Sequence, residues 1–303
     1  MKIIVTGATG LIGSALVPAL IADGHSVMCL VRGNNSVLPH PGTAAARWNP
    51  EAGEIDASAI EGHDAAVHLA GENIADGRWT DEKKRRIIES REKGTRLIAE
   101  TLAALNPRPK VLVSASAVGY YGDRGAETLD EGSSSGKDFV SEVCRKWEAA
   151  ADPARAAGIR VVHLRIGMVL SGEGGALGKM LTPFKIGVGG KIGSGEQYMS
   201  WIALDDVVGA IKHALKDESL RGAVNTVAPG VLTNTEFTKV LGSVLSRPTL
   251  FPVPAFAARL AFGEMADELL LSSTRVEPKR LRATNYQFAY PQLEAALRHV
   301  LKK

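Results

Sequence analysis

Five runs of apolar residues have the length and composition of buried β-strands. They are Lys2–Val5, Ser26–Val31, Asp64–Leu69, Val111–Val113 and Arg160–Leu164. Apolar character on both faces is typical of a parallel sheet covered by helices, and the segments between the runs have helical spacing. One such helix is predicted over 80–105, ending before Asn106-Pro107 because proline disfavours helix at the preceding residue. The alternation predicts an α/β fold of the Rossmann type, a doubly wound parallel sheet.

The pattern changes after about Gly167. Dense glycines over 172–195 indicate a loop, a short helix and a second loop over a ligand. A helix near 205–206 and a strand over 223–227 then return to the sheet, Thr233 and Glu236 match a capping box, and the chain is mostly helical from 252 onward. We expect a Rossmann domain over 1–170, its sheet completed by about 200–230. A smaller, mostly helical C-terminal substrate lobe is expected over 171–200 and 231–303.

Composition excludes several function classes. The chain has 303 residues and a formal net charge of +3 from 36 basic and 33 acidic side chains, which is too balanced to indicate a nucleic-acid or membrane surface. Cys29 and Cys144 lie far apart without metal-ligand spacing, so neither a disulfide framework nor a metal site is predicted. We find no signal-peptide pattern and no apolar run long enough to cross a bilayer. A cytoplasmic protein with a small-molecule partner is expected.

The turn after the first strand has the strongest chemical signal. Gly7, Gly10 and Gly13 follow the spacing G-x-x-G-x-x-G, with Thr9, Leu11 and Ile12 between them. Such glycines permit a tight strand-to-helix turn, close approach of the backbone to a pyrophosphate, and close packing of helix on sheet. The alternative is an ordinary glycine-rich turn. A phosphoryl-transfer P-loop is disfavoured because Leu11-Ile12 stand where Gly-Lys-Ser/Thr would be needed.

The end of the second strand indicates which dinucleotide is bound. An NAD site usually has an acidic residue there for the ribose hydroxyls, whereas this chain has Val31-Arg32 and no acidic residue between Asp23 and Glu51. A 2′-phosphate would therefore meet a guanidinium and no repelling carboxylate. NADP(H) is favoured over NAD, and the 1–170 domain becomes the expected NADP-binding domain. The alternative is that Arg32 is a solvated loop arginine.

Further motifs give the chain a family resemblance. They are His68–Asn73, Ser90-Arg91, Ser114–Ser116, Trp147-Glu148, Arg165–Gly167, Trp201-Ile202 and Gly263–Asp267. With the glycine turn, they make the chain resemble an extended short-chain dehydrogenase/reductase of the NAD(P)-dependent epimerase/dehydratase superfamily, in the atypical branch with a distinct C-terminal domain. The resemblance covers essentially the whole length.

The resemblance implies further cofactor contacts. They come from the turn of Leu69, Ala70 and Gly71, from Arg91 and Ser114, and from the backbone near Met168. Arg91 could instead belong to a charged, solvated helix face, because Lys83, Lys84, Arg85, Arg86 and Lys93 lie near it in the sequence.

Catalysis is where the chain departs from this pattern. Relatives use a Ser or Thr to polarise a carbonyl and a Tyr-x-x-x-Lys pair for proton transfer. Ser116 fits the first role, but the helix predicted over 137–150 has Phe139 and Val143 where the pair would stand. Tyr121 is a candidate proton donor, or a residue of a structural turn.

The substrate pocket rests on the resemblance alone. It implies substrate contacts from Lys191, Gln197 and Trp201, near Ser194. Asp205-Asp206 could touch a substrate or cap a helix.

Two function classes remain open from the sequence. One is an NADP(H)-dependent oxidoreductase or epimerase acting on a small polar, sugar-like carbonyl or alcohol. The other is an NADPH-binding sensor or partner-binding protein with little or no catalysis. The absence of the Tyr-Lys pair is the feature that separates the two. Substrate and reaction direction are not determined, and a homo-oligomer is left open.

Overall fold

In the computed structural model, which describes residues 1–32 and 40–303, strands and helices alternate through the first three quarters of the chain. The first part contains β1 Lys2–Thr6, α1 Leu11–Ala22, β2 Ser26–Val31, β3 Ala44–Asn49, β4 Glu54–Ile55, α2 Ala57–Ile60, β5 Ala65–His68, α3 Asp81–Ala104 and β6 Val111–Ala117. The next part contains β7 Thr128–Leu129, α4 Phe139–Ala149, α5 Asp152–Ala156, β8 Arg160–Ile166, β9 Met168–Leu170, α6 Gly175–Lys185, β10 Tyr198–Met199, β11 Trp201–Ala203, α7 Leu204–Lys216 and β12 Gly222–Thr226. The last part contains β13 Leu232–Thr233, α8 Asn234–Leu245, α9 Ala255–Phe262, a π-helix Ala266–Leu271, β14 Arg275–Val276, α10 Lys279–Ala283 and α11 Leu293–Val300.

Eight strands form the central sheet in the order β12-β8-β6-β5-β1-β2-β3-β4. All pairs are parallel except β3–β4, so the predicted Rossmann-type fold is confirmed. Strands β2, β3 and β4 follow β1 on one side of the sheet, and β5, β6, β8 and β12 follow in order on the other side. The carboxyl ends of β1 and β5 therefore mark the switch point at which ligands bind in such sheets.

Helices cover both faces of the sheet. Helix α1 packs with α7 over one face, where Leu16 and Leu20 join Val207 and Ile211 in one core. Helices α3 and α5 cover the other face around Ile98 and Leu102. The helix predicted over 80–105 is confirmed as α3. The Thr80 side chain caps its start by accepting from the amide of Lys83.

A separate core of α6, α8 and α11 surrounds the buried Trp201 and Phe237 in the C-terminal part. The predicted capping box is present at the start of α8: the Thr233 side chain accepts from the amide of Glu236, and the Glu236 carboxylate accepts from the amide of Thr233. Strand β3 was not predicted, because Ala-Ala-Ala-Arg-Trp-Asn has no β-branched residue, and β4 was not predicted because it has only two residues. None of the helices in the described ranges is both long and apolar enough to cross a membrane.

Candidate functional site

The glycine-rich turn joins β1 to α1 through close backbone contacts. Gly7 has φ +69°, a left-handed conformation that favours glycine, and its carbonyl accepts from the amide of Gly10 at 3.0 Å. A Cβ at Gly13 would lie 2.1 Å from the Gly7 oxygen, so helix and strand can approach only without a side chain there. Helix α1 begins at Leu11 with no side-chain cap on its first amides. Those amides form a cradle suited to a phosphate group.

The turn opens into a cleft of about 540 Å³ at the switch point. Its walls come from segments at or after the carboxyl ends of four parallel strands, β1, β2, β3 and β5, and from helix α3. The lining residues are Gly7–Gly10, Leu30–Arg32, Trp48, Pro50, Glu51, Leu69–Glu72, Arg86, Glu89, Ser90 and Lys93. The cleft thus brings together the predicted cofactor residues Gly7, Thr9, Gly10, Val31, Arg32, Leu69, Ala70 and Gly71.

The rim of this cleft is charged with both signs. Arg32 is exposed, as an arginine reaching a 2′-phosphate would be. The expectation that no carboxylate lies beside it is wrong, because Glu51, Glu72 and Glu89 line the same cleft. The pKa of Glu72 is lowered, first by its hydrogen bond from Lys83 and also by the charges of Arg86 and Arg32. These glutamates are distant from Arg32 in the sequence, and the fold brings them to the rim of the same cleft.

Arg86 and Lys93 are cleft residues that the sequence prediction missed. They were counted among the charges of a solvated helix face, yet both line the cleft from α3, together with Ser90. Their spacing of four and then three residues places all three on one side of a helix. That spacing, combined with the position of α3 after the switch point, is the signal that could have identified them.

Thr6 and His68 fix the geometry of the switch point. The Thr6 hydroxyl accepts from the amides of Leu69 at 3.1 Å and Ala70 at 3.2 Å, and it pairs with His68 Nδ1 at 2.7 Å. His68 is fully buried, and burial lowers its pKa to about 4. These bonds hold the 69–71 turn beside Gly7, whose missing Cβ would lie 2.8 Å from the Leu69 carbonyl carbon.

Arg91 lies behind this turn and does not belong to a solvated helix face, while its contact with the cofactor stays a prediction. It is 9% exposed, so it is not part of a solvated face, and it is not among the residues that line the cleft. Its guanidinium donates to the carbonyl of Glu72 at 2.9 Å and lies 4.7 Å from the Trp147 ring centroid. Burial lowers its pKa. Arg91 supports the turn from the protein side.

The remaining predicted cofactor residues lie outside the cleft wall. Ser114 is fully buried in β6, so a ligand has no access to its side chain in this conformation. Ile12 packs against the first core, while Leu11 lies against the start of α6, within 3.1 Å of the Cβ position of Gly175. Met168 is half-buried, and its amide donates to Ser200.

A buried polar network begins at Ser116. Its hydroxyl donates to Glu148 Oε1 at 2.8 Å, and Arg165 binds both oxygens of that carboxylate at 2.8 and 2.9 Å. Arg165 also donates to the Tyr121 hydroxyl at 3.0 Å and stacks on the Tyr120 ring. The Tyr121 hydroxyl in turn donates to Asn225 Oδ1 at 2.6 Å. Glu148, which the sequence prediction assigned no chemical role, connects this chain.

This network changes the expected catalytic roles. Tyr121 is 0% exposed and burial raises its pKa to about 12, which makes it a neutral structural residue rather than a proton donor to a substrate. A serine hydroxyl has one proton, and that of Ser116 points at Glu148. Toward a ligand, Ser116 therefore presents acceptor lone pairs. Polarising a carbonyl would require its rotation away from Glu148.

Helix α4 has Phe139 and Val143 where the tyrosine and lysine of the pair would stand. Phe139 packs on Trp79, and Val143 is buried. The Glu268 carboxylate, from the π-helix, accepts from the amides of Phe139 and Val140 at the start of α4. Burial raises the Glu268 pKa. The C-terminal segment thus holds the helix on which relatives carry the pair.

The three predicted substrate residues are engaged within the protein. Trp201 is 0% exposed and donates to Gly230, which corrects its expected role because no ligand can reach it here. Gln197 donates to the carbonyls of Ile192 and Leu270. Lys191 donates to the carbonyl of Ser194 at 2.9 Å.

Asp206 is not the cap of α7, and its carboxylate is hydrogen-bonded within the protein. Ala203 is the N-cap of α7, and Asp206 accepts from the amides of Ala289 and Tyr290, which anchors the C-terminal segment. In the described ranges, no group of three or more His, Cys, Asp or Glu side chains could hold a metal ion.

Comparison with known proteins agrees with this geometry. Residues 3–226 match the NAD dependent epimerase/dehydratase family, and residues 253–300 match a domain of unknown function, DUF1731. The chain is 42% identical to epimerase family protein Mb2239 of Mycobacterium bovis over 97% of its own length and 95% of the relative's.

Two solved structures are also similar. The crystal structure of human epimerase family protein SDR39U1 with NADPH has a TM-score of 0.89 and 37% identity, with 100% of both chains covered. A nucleoside-diphosphate sugar epimerase from Corynebacterium glutamicum has a TM-score of 0.81 and 37% identity, covering 99% of this chain and 58% of that one. The chain therefore belongs to the NAD dependent epimerase/dehydratase family and combines its Rossmann fold with a C-terminal DUF1731 domain.

Proposed function

We propose that the protein binds NADP(H) in the switch-point cleft and transfers hydride between that cofactor and a carbonyl or alcohol substrate. The observation that carries the proposal is the uncapped start of α1 behind Gly7–Gly10, in one cleft with Arg32, Arg86 and Lys93. The similar human protein was solved with NADPH. When bound, the nicotinamide would supply or accept the hydride.

Different residues would bind different parts of this cofactor. The α1 amides would bind the pyrophosphate, and the missing Cβ at Gly10, which would have only the Gly7 oxygen within 4 Å, leaves room for its approach. Arg32, with Arg86 and Lys93 across the rim, would neutralise the 2′-phosphate. Ser116 is the proposed residue for hydrogen bonding to the reacting oxygen, with Glu148 orienting its hydroxyl. The substrate expected from the sequence is small and polar, or sugar-like.

Cofactor titration by calorimetry tests the first half of the proposal. A charge-assisted hydrogen bond contributes about 1.5–3 kcal/mol, so NADPH should bind about 10- to 150-fold more tightly than NADH. Arg32→Ala should remove most of that preference. Arg96→Ala, on the same helix as Arg86 but outside the cleft, is the matched control. Equal affinities in the wild type would refute the assignment.

Hydride transfer is tested by NADPH consumption with a panel of carbonyl substrates. Ser116→Ala should lower turnover, whereas Tyr121→Phe should leave turnover per folded molecule unchanged, because Tyr121 is buried. If neither variant nor wild type turns over any substrate, a second function gains support. That function is an NADPH-binding sensor or partner-binding protein, and the hydrogen bond that the Ser116 hydroxyl donates to Glu148 favours it.

A further inference from the structure

An apolar surface covers one side of the C-terminal domain. Of the nine large hydrophobic side chains exposed in the described part of the chain, all but Met1 lie in residues 186–188 and 250–269. Leu250, Phe256 and Leu260 are each more than 70% exposed. A soluble monomer rarely leaves so much apolar surface in one place.

The two segments form one continuous surface. Ile192 and Val253 make a parallel bridge, and the amide of Val253 donates to Lys191 at 2.8 Å while that of Gly193 donates back to Val253 at 2.8 Å. This bridge places the loop carrying Ile186 and Val188 beside the residues that lead into α9. We call the exposed side chains of 186–188 and 250–269 the apolar face.

Helix α9 is poorly covered by its own chain. Its sequence is Ala-Phe-Ala-Ala-Arg-Leu-Ala-Phe, and Ala258 is its one buried residue. Helices this short gain most of their stability from packing, not from propensity. Phe256 and Leu260 are four residues apart, so they lie on one side of the helix and leave a face available to a partner.

We propose that the apolar face is the contact surface of a symmetric homodimer, in which α9 packs against α9 of a second copy. At roughly 100 Å² for each side chain, the eight residues present on the order of 800 Å², the share of one partner in a standard interface. A two-fold interface uses the same patch on both copies, so the patch must not repel itself.

Charge pairing along α9 meets that requirement. Arg259, the one charged residue in α9, is neutralised by Asp267 at 2.9 Å, and Glu264 is bound to Lys84 of α3. Lys185 and Arg247 remain exposed at the edge, where charged groups of an interface stay hydrated. An anionic membrane would need unpaired cations along the helix itself.

Analytical ultracentrifugation of the full chain tests the dimer. The wild type should be dimeric at micromolar concentration, and the double variant Phe256→Ser/Leu260→Ser should raise the dissociation constant about 100-fold or more, because each change occurs in both copies. Its affinity for NADPH should not change. The double variant Arg96→Ser/Glu100→Ser makes the same spacing of changes on the exposed side of α3, and it should stay dimeric.

Cross-linking supplies a second measurement, which does not require a variant that disrupts the interface or destabilises the fold. Cys29 and Cys144 are buried, so Ala261→Cys places an exposed thiol on α9. A short bismaleimide should join two copies of this variant, and it should not join copies of Glu100→Cys. A wild type that is monomeric at about 100 µM overturns the proposal, as does dimerisation that survives the α9 double variant. Monomers that bind anionic phosphatidylserine vesicles through α9 would overturn it in favour of a membrane contact.

Discussion

Replacing Tyr121 by phenylalanine separates a structural tyrosine from a catalytic one. The change removes one hydroxyl and keeps the ring that packs in the core with Leu129 and Val276. Asn225 Oδ1, in a residue that is 0% exposed, loses a donor at 2.6 Å. Arg165 keeps both bonds to Glu148. A buried polar atom left unsatisfied costs about 1–3 kcal/mol, so we expect the free energy of unfolding to fall by about 2 kcal/mol.

Urea denaturation at constant pH measures that loss, and Tyr120→Phe is the matched control. Tyr120 contributes a ring on which the Arg165 guanidinium lies at 3.3 Å, and phenylalanine preserves that contact. The control should therefore unfold close to the wild type. The Tyr121 pKa is raised to about 12, so the stability it contributes is complete below pH about 10 and is lost as pH rises through 12. The gap between wild type and Tyr121→Phe should narrow over that range.

The opposite pattern would refute the reasoning. If Tyr121→Phe unfolds like the wild type but turns over substrate about 100-fold more slowly, then Tyr121 transfers a proton and its burial is relieved during the reaction. Normalising turnover to the folded fraction at the assay temperature keeps the two outcomes apart.

Two further predictions follow from the glycine turn and from the buried histidines. Gly10→Val should abolish NADPH binding with the circular dichroism spectrum retained, because a Cβ there meets only the Gly7 oxygen at 3.3 Å. Gly13→Val should lose structure as well, because its Cβ would lie 2.1 Å from that oxygen. Tight binding of NADPH by Gly10→Val would contradict the assignment of the turn. Burial lowers the pKa of His68 and His163 to about 4, so both contribute stability above pH about 6.5 that is lost as pH falls through 4. Urea midpoints measured from pH 7 down to 4 should therefore decline, and a flat profile would show that neither ring is held neutral.

Local sequence predicted the elements that close over short distances. The G-x-x-G-x-x-G turn, the helix capped by Thr80 and the capping box at Thr233 each depend on residues within a few positions of one another, and all three are where they were expected. Near-continuous apolar runs identified the strands that are buried on both sides. In the central sheet, the two strands without such a signal, β3 and β4, were missed.

Side-chain roles at the site depended on distant partners. Arg86 and Lys93 lie in a charged run that resembles a solvated surface, and they are cleft residues only because the fold places that side of α3 against the cleft. Conversely, Trp201 and Tyr121 resemble ligand-binding aromatics in the sequence. In the structure they donate hydrogen bonds to Gly230 and Asn225, which are 29 and 104 residues away. Residue type alone could not distinguish these cases.

By itself, then, the sequence determined the Rossmann fold, the glycine-rich turn after β1 and the absence of the tyrosine-lysine pair, because backbone geometry and the spacing of apolar residues depend on residues close together in the sequence. Only the tertiary structure decided which charges face the cleft, that the Ser116 hydroxyl donates to Glu148, and that α9 leaves its apolar side uncovered. The physical reason is that burial and hydrogen-bond satisfaction are properties of neighbours in space. Those neighbours are set by the order in which parallel strands assemble and not by spacing along the chain.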